Sequence, residues 1–462
     1  MHGIPALIGG GNTGDGACAL VGVGFGPSNL ALAVALREAG VDLGCRFLEK
    51  RDRFVWHGNM LLHGSRMQIS FLKDLVSLRD PTSRYSFLNY LHGQGRLQDF
   101  INLRTFYPSR REFNDYLAWV AADFDDQCEY GLEATAVEPE RTGEGVSRLR
   151  VHARDRMGRE RSWLTRNVVI GAGATPKVPE PFLELVGKAA SGGPLVVHSN
   201  DYLAAADALA RAGRVAVIGL GQSAAEIFLD LHGRGVAVDV IARGPAMRPA
   251  DSSPFANQVF DAGYTDYLYG LPPGEREALL RAFHNTNYAV VDPELIDAIY
   301  GILYQQKVER SDRHRMLTRH DILAARADAR ADSVAGVVLD LAGLDHGGRD
   351  SRRYGAVVLA TGYRRHIHRD LLRPMEPWLT DGEVGRDYRL PTVPGCTAGI
   401  YLQGCCEATH GLSDTLLSIL PIRAQEIAQG IAAGLTGGRG MDIRTLMKGD
   451  HRNEDHRAAR AP

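Results

Sequence analysis

The stretch CALVGVGFGPSNLALAVAL, residues 18–36, decides the fold. An apolar, β-prone run leads into a glycine-rich turn, and an Ala- and Leu-rich helical run follows. The turn contains Gly24 and Gly26, with Asn29 where the GxGxxG pattern has its third glycine. Such glycines leave backbone N–H groups open to a pyrophosphate, and the positive end of the following helix dipole favours that anion. The stretch therefore predicts the start of a dinucleotide-binding βαβ unit.

An acidic residue at the end of the next β-prone run supports this interpretation. The run RFLEK contains Glu49, twenty residues after Asn29. A carboxylate at this place can accept hydrogen bonds from the ribose hydroxyls of an adenine dinucleotide. Strand, turn, helix and acid together favour a bound dinucleotide over a glycine turn without a ligand.

A second unit with the same pattern begins at VAVIGLGQSAAEIFLDL, residues 215–231, with Gly219, Gly221 and Ser223 in its turn. Its next strand, VAVDVIAR, ends in Arg243 and not in an acid. A guanidinium pairs with a 2′-phosphate, so NADPH is favoured over NADH, although Arg243 on its own could be a solvated loop charge. Two such sites, one for a flavin and one for a nicotinamide, imply hydride delivery to FAD.

The cysteines narrow the choice of the group that accepts electrons from the flavin. The chain has six, none in a CxxC pattern, and Cys405 and Cys406 are adjacent. A redox dithiol and a zinc site are therefore disfavoured, and oxygen is the favoured acceptor of the electrons. The few cysteines also fit a reducing cytoplasm best. No metal site is predicted.

Composition restricts the class of partner. The 462 residues carry 53 Lys and Arg against 55 Asp and Glu, a formal net charge of -2. This balance disfavours nucleic acid or an anionic membrane as a dedicated partner and favours a small molecule. The apolar runs are too short to span a bilayer, and the Gly-rich start of the chain is predicted to be a flexible leader and not a signal peptide.

The predicted fold class is α/β, with two Rossmann-like dinucleotide-binding domains, for FAD and NADPH, and a smaller inserted substrate-binding region. The predicted boundaries are 15–212 for the first part of the FAD domain, 213–365 for the NADPH domain, about 250–310 for its insertion, 366–448 for the second part of the FAD domain with substrate-pocket residues, and 1–14 and 449–462 for flexible tails.

Longer blocks resemble a known family. They are WHGNMLL (56–62), MQISFLKDLVSLRDPTSRYSFLNYL (67–91), INLRTFYPSRREFNDYLAW (101–119), PFANQVF (254–260), NTNYAVVDPELIDAIYG, ATGY and THGLSDTLLS (409–418). From about residue 17 to 433 the chain resembles the flavin-dependent N-hydroxylating monooxygenases of siderophore biosynthesis, and most closely the L-ornithine N5-monooxygenases. Such blocks are far more specific than either glycine turn.

The resemblance implies roles for the substrate residues. Lys73 matches the lysine that holds the substrate α-carboxylate, and Asn257 and Asn287 match two asparagines near the substrate backbone. Asn257 is also placed to hydrogen-bond the nicotinamide cofactor, and is the predicted catalytic residue. The Leu416 carbonyl and Ser418 match the end of the pocket that receives the side-chain amine. On spacing alone, Lys73 could be a surface charge and the asparagines turn residues.

The resemblance also implies the cofactor contacts and the chemistry. His57 and Gln68 match positions that line the isoalloxazine ring, and Arg243 matches the arginine on the NADPH 2′-phosphate. Reduced FAD and oxygen form a C4a-hydroperoxide, which the unprotonated side-chain amine of L-ornithine attacks. Such an amine has a pKa near that of lysine, ~10.4, so the site must supply the minor neutral form. A homotetramer is implied as well.

Three alternatives stay open. A sulfur or nitrogen flavin monooxygenase or a Baeyer–Villiger enzyme would carry FxGxxxHxxx(W/Y), of which only a partial match exists, from His198 to Tyr202. The amine could belong to lysine or a diamine; Lys73 argues against a diamine, but one methylene is worth only ~1–3 kcal/mol. A non-catalytic flavoprotein, acting as a sensor or scaffold, is the third.

Overall fold

The structure is a computed structural model and describes residues 18–40, 44–328, 335–345 and 347–435. The predicted tails lie outside these residues. In the described part, the strands are β1 (Cys18–Val23), β2 (Cys45–Glu49), β3 (Cys128–Tyr130), β4 (Leu132–Thr142), β5 (Gly145–Asp155), β6 (Glu160–Ile170), β7 (Thr175–Pro176), β8 (Leu195–His198), β9 (Arg214–Ile218), β10 (Ala237–Ile241), β11 (Arg248–Pro249), β12 (Val290–Val291), β13 (Arg315–Leu317), β14 (His320–Asp328), β15 (Gly336–Gly343), β16 (Arg349–Tyr354), β17 (Ala356–Leu359), β18 (Tyr363–Arg364) and β19 (Gly399–Leu402). The helices there are α1 (Pro27–Glu38), α2 (Phe87–Gly93), α3 (Leu97–Asn102), α4 (Arg110–Ala122), α5 (Tyr202–Ala210), α6 (Gln222–Gly233), α7 (Pro254–Asn257), α8 (Ala262–Tyr269), α9 (Pro273–Asn287), α10 (Pro293–Val308), α11 (Ile367–Leu371), α12 (Glu407–His410) and α13 (Leu420–Leu435).

The first sheet has the order β3, β2, β1, β6, β5, β4, and β19 also pairs with β6. Strands β1, β2, β3, β6 and β19 are parallel, whereas β4, β5 and β6 form an antiparallel meander. The chain proceeds from β1 outward to β2 on one side and returns to β6 on the other. Open α/β sheets bind ligands beyond the carboxyl ends of the strands at such a reversal, and the first glycine turn lies there.

Helix α1 holds this turn in place because it is covered on nearly every side. All eight residues from 29 to 36 are buried, as expected for a helix that has no polar face. The helix packs against α13 and shares one apolar core with β1, where Leu20 and Val21 are fully buried. The start of α1 is therefore fixed relative to the end of β1.

The second sheet is parallel throughout and has the order β13, β10, β9, β17, β8. Its first strand, β8, pairs with β17, about 160 residues later in the chain, and Val196 of β8 is buried in the core of this sheet. The strand pairing corrects the boundary predicted at residue 212. Residues 195–210, which form β8 and α5, belong with the second sheet, because β8 completes its edge.

The two units are joined by a pair of linkers that lie side by side. The chain leaves the first unit at β7 and returns at β18, and these strands pair antiparallel. The Lys177 N–H also donates to the Gly362 carbonyl at 2.9 Å. We call residues 171–177, which contain β7, and residues 360–365, which contain β18, the paired linkers.

The remaining elements extend the second unit. Helices α7 to α10 lie between β11 and β13, where an insertion at about 250–310 is predicted, and β14 to β16 form an antiparallel meander. The predicted fold class is confirmed: α/β, with two Rossmann-like sheets and a smaller inserted region. None of the helices in the described part of the chain has the length and apolar character needed to cross a membrane.

Candidate active site

The first glycine turn leaves space for a ligand at the start of α1. Gly24 has φ +80°, and a Cβ there would lie 2.6 Å from the Gly171 carbonyl oxygen. A Cβ on Gly26 would meet no atom within 4 Å. Gly24 is therefore needed for the turn itself, whereas the absence of a side chain at Gly26 keeps the helix N-terminus open. This arrangement fits a pyrophosphate on the N-terminal N–H groups.

Asn29 fixes the turn with its side chain. Its amide nitrogen donates to the Val23 carbonyl at 3.1 Å and to the Gly24 carbonyl at 2.6 Å, and its amide oxygen accepts from Gln403 Nε2 at 2.9 Å. All of these groups lie beneath the turn, and Asn29 is fully buried. The asparagine thus replaces the close packing of a third glycine with three hydrogen bonds.

Glu49 is placed by two backbone bonds. Its Oε2 accepts from the Phe25 N–H at 2.9 Å and its Oε1 accepts from the Arg51 N–H at 3.0 Å. Each carboxylate oxygen can accept a further hydrogen bond, so the predicted contact with a ribose remains compatible with this geometry. The sequence interpretation missed that the same carboxylate also shapes the glycine turn.

The second glycine turn follows β9 in the same manner. Gly219 has φ +135°, and a Cβ there would collide with the Ala360 carbonyl oxygen. Gly221 faces Ala289 of the inserted region, with 3.6 Å from its Cβ position to the Ala289 Cα. Ser223 is half-buried in the first turn of α6. The second turn therefore opens toward the inserted helices.

Arg243 lies just beyond β10. Its side chain is 76% exposed, and its one ion pair in the described structure, with Asp321, has a separation of 3.6 Å. A guanidinium with so weak a protein partner can receive a phosphate without losing a strong ion pair. The position fits the predicted contact with the 2′-phosphate.

His57 and Gln68 lie between the two units. His57 is open to solvent yet has protein on most sides: desolvation, followed by the charges of Arg110, Arg51 and Arg365, lowers its pKa to about 4. This side chain is therefore neutral at neutral pH. The three arginines were not singled out in the sequence, because only the folded chain brings them around one histidine.

Lys73 is a half-buried cation in the loop that precedes α2. Across the residues that the structure describes, its ammonium takes part in no ion pair or hydrogen bond. The next residue, the buried Asp74, accepts from the backbone N–H groups of Val76, Ser77 and Phe87 at 2.7–2.9 Å. Asp74 therefore holds the loop while Lys73 remains available to an anion. Sequence reasoning missed Asp74.

The two asparagines belong to the inserted helices. Asn257 ends α7, and its amide nitrogen donates to the Ser252 carbonyl at 2.9 Å. Asn287 ends α9, and within the described part of the chain its amide makes no hydrogen bond. Both are half-buried. Their amides can therefore still bind a polar ligand.

The inserted helices contact the segment that carries Leu416 and Ser418. Tyr288, next to Asn287, donates from its hydroxyl to Glu407 and lies 3.3 Å from the Thr415 hydroxyl. Helices α8 and α9 also pack against α12. Leu416 is half-buried, and Ser418 is buried with a hydroxyl that has no hydrogen-bond partner among the described residues. A buried hydroxyl of this kind is expected to meet a ligand or water.

The loop of Lys73 reaches the same region from the first unit. Gln68, five residues earlier, donates to Asp292, five residues after Asn287, at 2.9 Å. The structure thus gathers three segments, around Lys73, Asn287 and Ser418, between the two glycine turns. No hydrogen bond joins Lys73, Asn257, Asn287 and Ser418 to one another in the described structure. Contacts between their neighbours, Gln68 with Asp292 and Tyr288 with Glu407, bring their segments together.

A buried ion pair connects this segment to the first glycine turn. Arg423 and Asp414 are almost completely buried and pair at 2.8 Å. Arg423 also donates to Gln403 at 3.2 Å and to the Ser28 hydroxyl at 3.0 Å. The Cys406 N–H donates to Asp414 at 2.6 Å. This network was not predicted, because its members are distant in sequence.

A separate cavity of about 580 Å³ lies at the opposite, amino end of the second sheet. It is lined by Arg214, Arg315 and Arg352 around Asp239, and each of these arginines pairs with an aspartate. The fully buried Asp239 also accepts from the Tyr354 hydroxyl at 3.0 Å. The second glycine turn follows the carboxyl end of β9, so this charged cluster lies at the other end of the sheet from it and is not part of the candidate active site.

Two glycine turns on two Rossmann-like sheets, with polar groups gathered between them, define an oxidoreductase with two dinucleotide-binding domains. The family described as L-lysine 6-monooxygenase/L-ornithine 5-monooxygenase matches residues 17–365. An L-ornithine N(5)-monooxygenase of Pseudomonas aeruginosa is 49% identical over 418 residues, 88% of this chain and 92% of that protein.

Comparison with solved structures supports the same family. An ornithine hydroxylase from Pseudomonas aeruginosa superposes with a TM-score of 0.84 at 48% identity, over 91% of this chain and 100% of that one. The Kutzneria sp. 744 ornithine N-hydroxylase, solved with reduced FAD, NADP+ and L-ornithine, superposes with a TM-score of 0.83 at 36% identity, over 90% and 99%. The chain belongs to the L-lysine 6-monooxygenase/L-ornithine 5-monooxygenase family, which confirms the resemblance.

Proposed function

We propose that this protein is an NADPH- and O2-dependent flavin monooxygenase that hydroxylates the side-chain amine of L-ornithine at N5. Its relatives that are named for ornithine reach 49% identity over most of the chain. The product would enter the biosynthesis of a hydroxamate siderophore or a related peptide. The rival Baeyer–Villiger and sulfur-oxidising classes lack support from any of these relatives.

The unpaired ammonium of Lys73 is the observation that carries the substrate class. A half-buried cation with no protein partner in the described structure favours a ligand that brings a carboxylate. An amino acid provides one and a diamine does not. Ser418, at the other end of the proposed pocket, is a buried hydroxyl that lacks a partner among the described residues, and it can accept a hydrogen bond from the side-chain amine.

The amine must lose its proton before it can act as a nucleophile. An alkyl ammonium with a pKa near ~10.4 stays charged at neutral pH unless its surroundings disfavour the charge. One carboxylate of the C-terminal segment, Asp414, is neutralised by its buried ion pair with Arg423. It is therefore a poor partner for an ammonium, so the neutral amine is less disfavoured.

The chain's own residues account for cofactor binding in this proposal. Gly24, Gly26, Asn29 and Glu49 hold FAD, which when reduced supplies the activation of O2. The other proposed contacts are His57 and Gln68 at the isoalloxazine ring, Gly219, Gly221, Ser223 and Arg243 on NADPH, and Asn257 between NADPH and the substrate. As the family resemblance implies, retained NADP+ and a closed pocket would keep water from the reactive centre.

Two further properties belong to the proposal. No disulfide joins the cysteines in the described part of the chain, which supports a reducing compartment such as the cytoplasm. The family resemblance implies a homotetramer, and subunit contacts would bury the exposed large side chains of Tyr300, Tyr304 and Val308 along α10. Light scattering coupled to size-exclusion chromatography of the holoenzyme tests the subunit number.

The experiment that tests the function offers ornithine, lysine and putrescine separately, with FAD, NADPH and oxygen, and measures hydroxylamine product beside peroxide. Ornithine-dependent hydroxylamine with little peroxide is expected. Hydroxylation of lysine or putrescine instead would contradict the substrate. Peroxide alone with all three would contradict the amine chemistry, and no NADPH oxidation at all would favour a non-catalytic flavoprotein.

A further inference from the structure

A buried ion pair links the two units directly. Arg110 starts α4 in the first unit, and Glu226 lies on α6, the helix that follows the second glycine turn. Arg110 donates to both oxygens of Glu226, at 2.9 and 2.7 Å, and to the Met60 carbonyl at 3.0 Å. The side chains are only 12% and 5% exposed. A bidentate pair fixes orientation as well as distance.

A chain of amide and carboxylate groups makes a second link. Gln222, the first residue of α6, donates to Glu226 and to Asp292, both at 2.9 Å. It also accepts from the Asp292 N–H at 2.9 Å. Asp292 in turn accepts from Gln68 of the first unit. We call Arg110, Glu226, Gln222, Asp292 and Gln68 the interdomain clasp.

Apolar packing accompanies the clasp. Met60 and Leu62 belong to the first unit, but their side chains are buried in the core of the second sheet, in a cluster with Tyr202 and Val217. Arg110 therefore secures the backbone of the same segment that enters this core. Apolar packing resists separation of the units but is not directional, whereas bidentate and amide hydrogen bonds restrict orientation.

We propose that the clasp sets the position of the second glycine turn relative to the first unit, and that Arg110 and Glu226 are positioning residues for hydride transfer. The inference rests on the proposed function. In that reaction a hydride, with both electrons, passes from NADPH to FAD, which leaves NADP+ and anionic reduced FAD. Because Gln222 and Glu226 stand on the helix that starts at the NADPH turn, a rotation of α6 would displace the nicotinamide.

The test needs a variant that folds. Removing one partner leaves an uncompensated buried charge and strongly destabilises the fold, whereas apolar replacement of both partners is often neutral. The double variant Arg110→Met with Glu226→Leu therefore keeps the packing and removes the directional contact. Glu277→Gln is the matched control, because it breaks an exposed ion pair with Arg281 inside α9.

Two readouts on the holoenzyme separate positioning from folding. Amide hydrogen exchange of the paired linkers should be faster in the double variant, while exchange in β1 and β9 and the FAD content stay unchanged. The limiting rate of anaerobic flavin reduction should fall about tenfold or more, since small displacements of reacting groups are costly. The NADPH concentration that gives half-maximal reduction should change little, and the Glu277→Gln control should match wild type.

Unchanged linker exchange in the double variant would overturn the clasp. Faster exchange with an unchanged limiting rate would overturn its role in hydride transfer. Failure of the proposed function can be distinguished from failure of the clasp. In the first case NADPH would not reduce the flavin of the wild-type protein, while hydrogen exchange of the paired linkers would still show whether the clasp joins the units. A single variant, Arg110→Lys, adds a graded test: it keeps the charge but loses the bidentate geometry, and its rate should fall between those of wild type and the double variant.

Discussion

Replacement of Asn29 by alanine tests the idea that a side chain, and not a third glycine, holds the flavin turn. The change removes three hydrogen bonds. The Val23 carbonyl keeps the Gly171 N–H as a donor at 2.9 Å, so two groups lose a partner: the Gly24 carbonyl and Gln403 Nε2. An unpaired buried polar group costs about 1–3 kcal/mol. We therefore expect a loss of about 3 kcal/mol, concentrated in the turn.

This loss should appear in FAD binding, because binding must restore the turn. A change of about 3 kcal/mol corresponds to a Kd that rises by about two orders of magnitude. The assay is a titration of apoprotein with FAD, followed by flavin fluorescence. Asn29→Asp should be at least as damaging, since it has the same size but turns an acceptor toward the two carbonyls. Asn102→Ala, at the exposed end of α3, is the control.

The result that would refute this reasoning is simple. If Asn29→Ala binds FAD within about threefold of wild type, a difference below about 1 kcal/mol, the three hydrogen bonds do not determine the turn. The geometry of Gly24 would then suffice by itself. An equal loss in Asn102→Ala would show that the assay reports a general effect and not the turn.

Three other outcomes are expected. Lys73→Ala should raise the ornithine KM roughly 30-fold, by about 2 kcal/mol, with flavin reduction by NADPH nearly intact; an unchanged KM would remove the carboxylate role. Arg243→Ala should penalise NADPH about tenfold more than NADH, and equal losses would remove the 2′-phosphate contact. Burial lowers the pKa of His410 to about 4. Above pH 6.5 this histidine is neutral in the folded and the unfolded chain, but between pH 6.5 and 4 the unfolded chain binds a proton that the folded chain does not, so acid lowers the free energy of unfolding by up to about 3 kcal/mol. The melting temperature should therefore fall less with acid in His410→Gln than in wild type, and parallel falls would contradict this role of His410.

The fold was predictable wherever a local pattern determines it. Both glycine turns, their strands and their helices follow from short contiguous stretches, and the structure places each at the end of a central strand. The error in the domain boundary has a different origin. Strand β8 joins the second sheet by pairing with β17, and such long-range pairing leaves no local signal in the intervening sequence.

In the candidate site, too, local sequence patterns were predictive and contacts between distant residues were not. The residues carried over from the family resemblance remain predictions, and the structure shows that their segments come together. The supporting groups could not be found in advance: Gln403 meets Asn29 across 374 residues, and Glu226 meets Arg110 across 116. A polar side chain in a buried helix was the available signal, because Glu226 lies among apolar residues of α6 and must have a partner.

The two glycine turns, although built alike, are secured in different ways. Asn29 binds groups of its own unit, so the flavin turn keeps its shape whatever the second unit does. The helix of the second turn is secured through Gln222 and Glu226, whose partners include the first unit and the inserted helices. Damage to the interface should therefore leave flavin binding intact and slow its reduction, whereas damage beneath the first turn should release the flavin. The clasp and Asn29 variants together separate these two consequences.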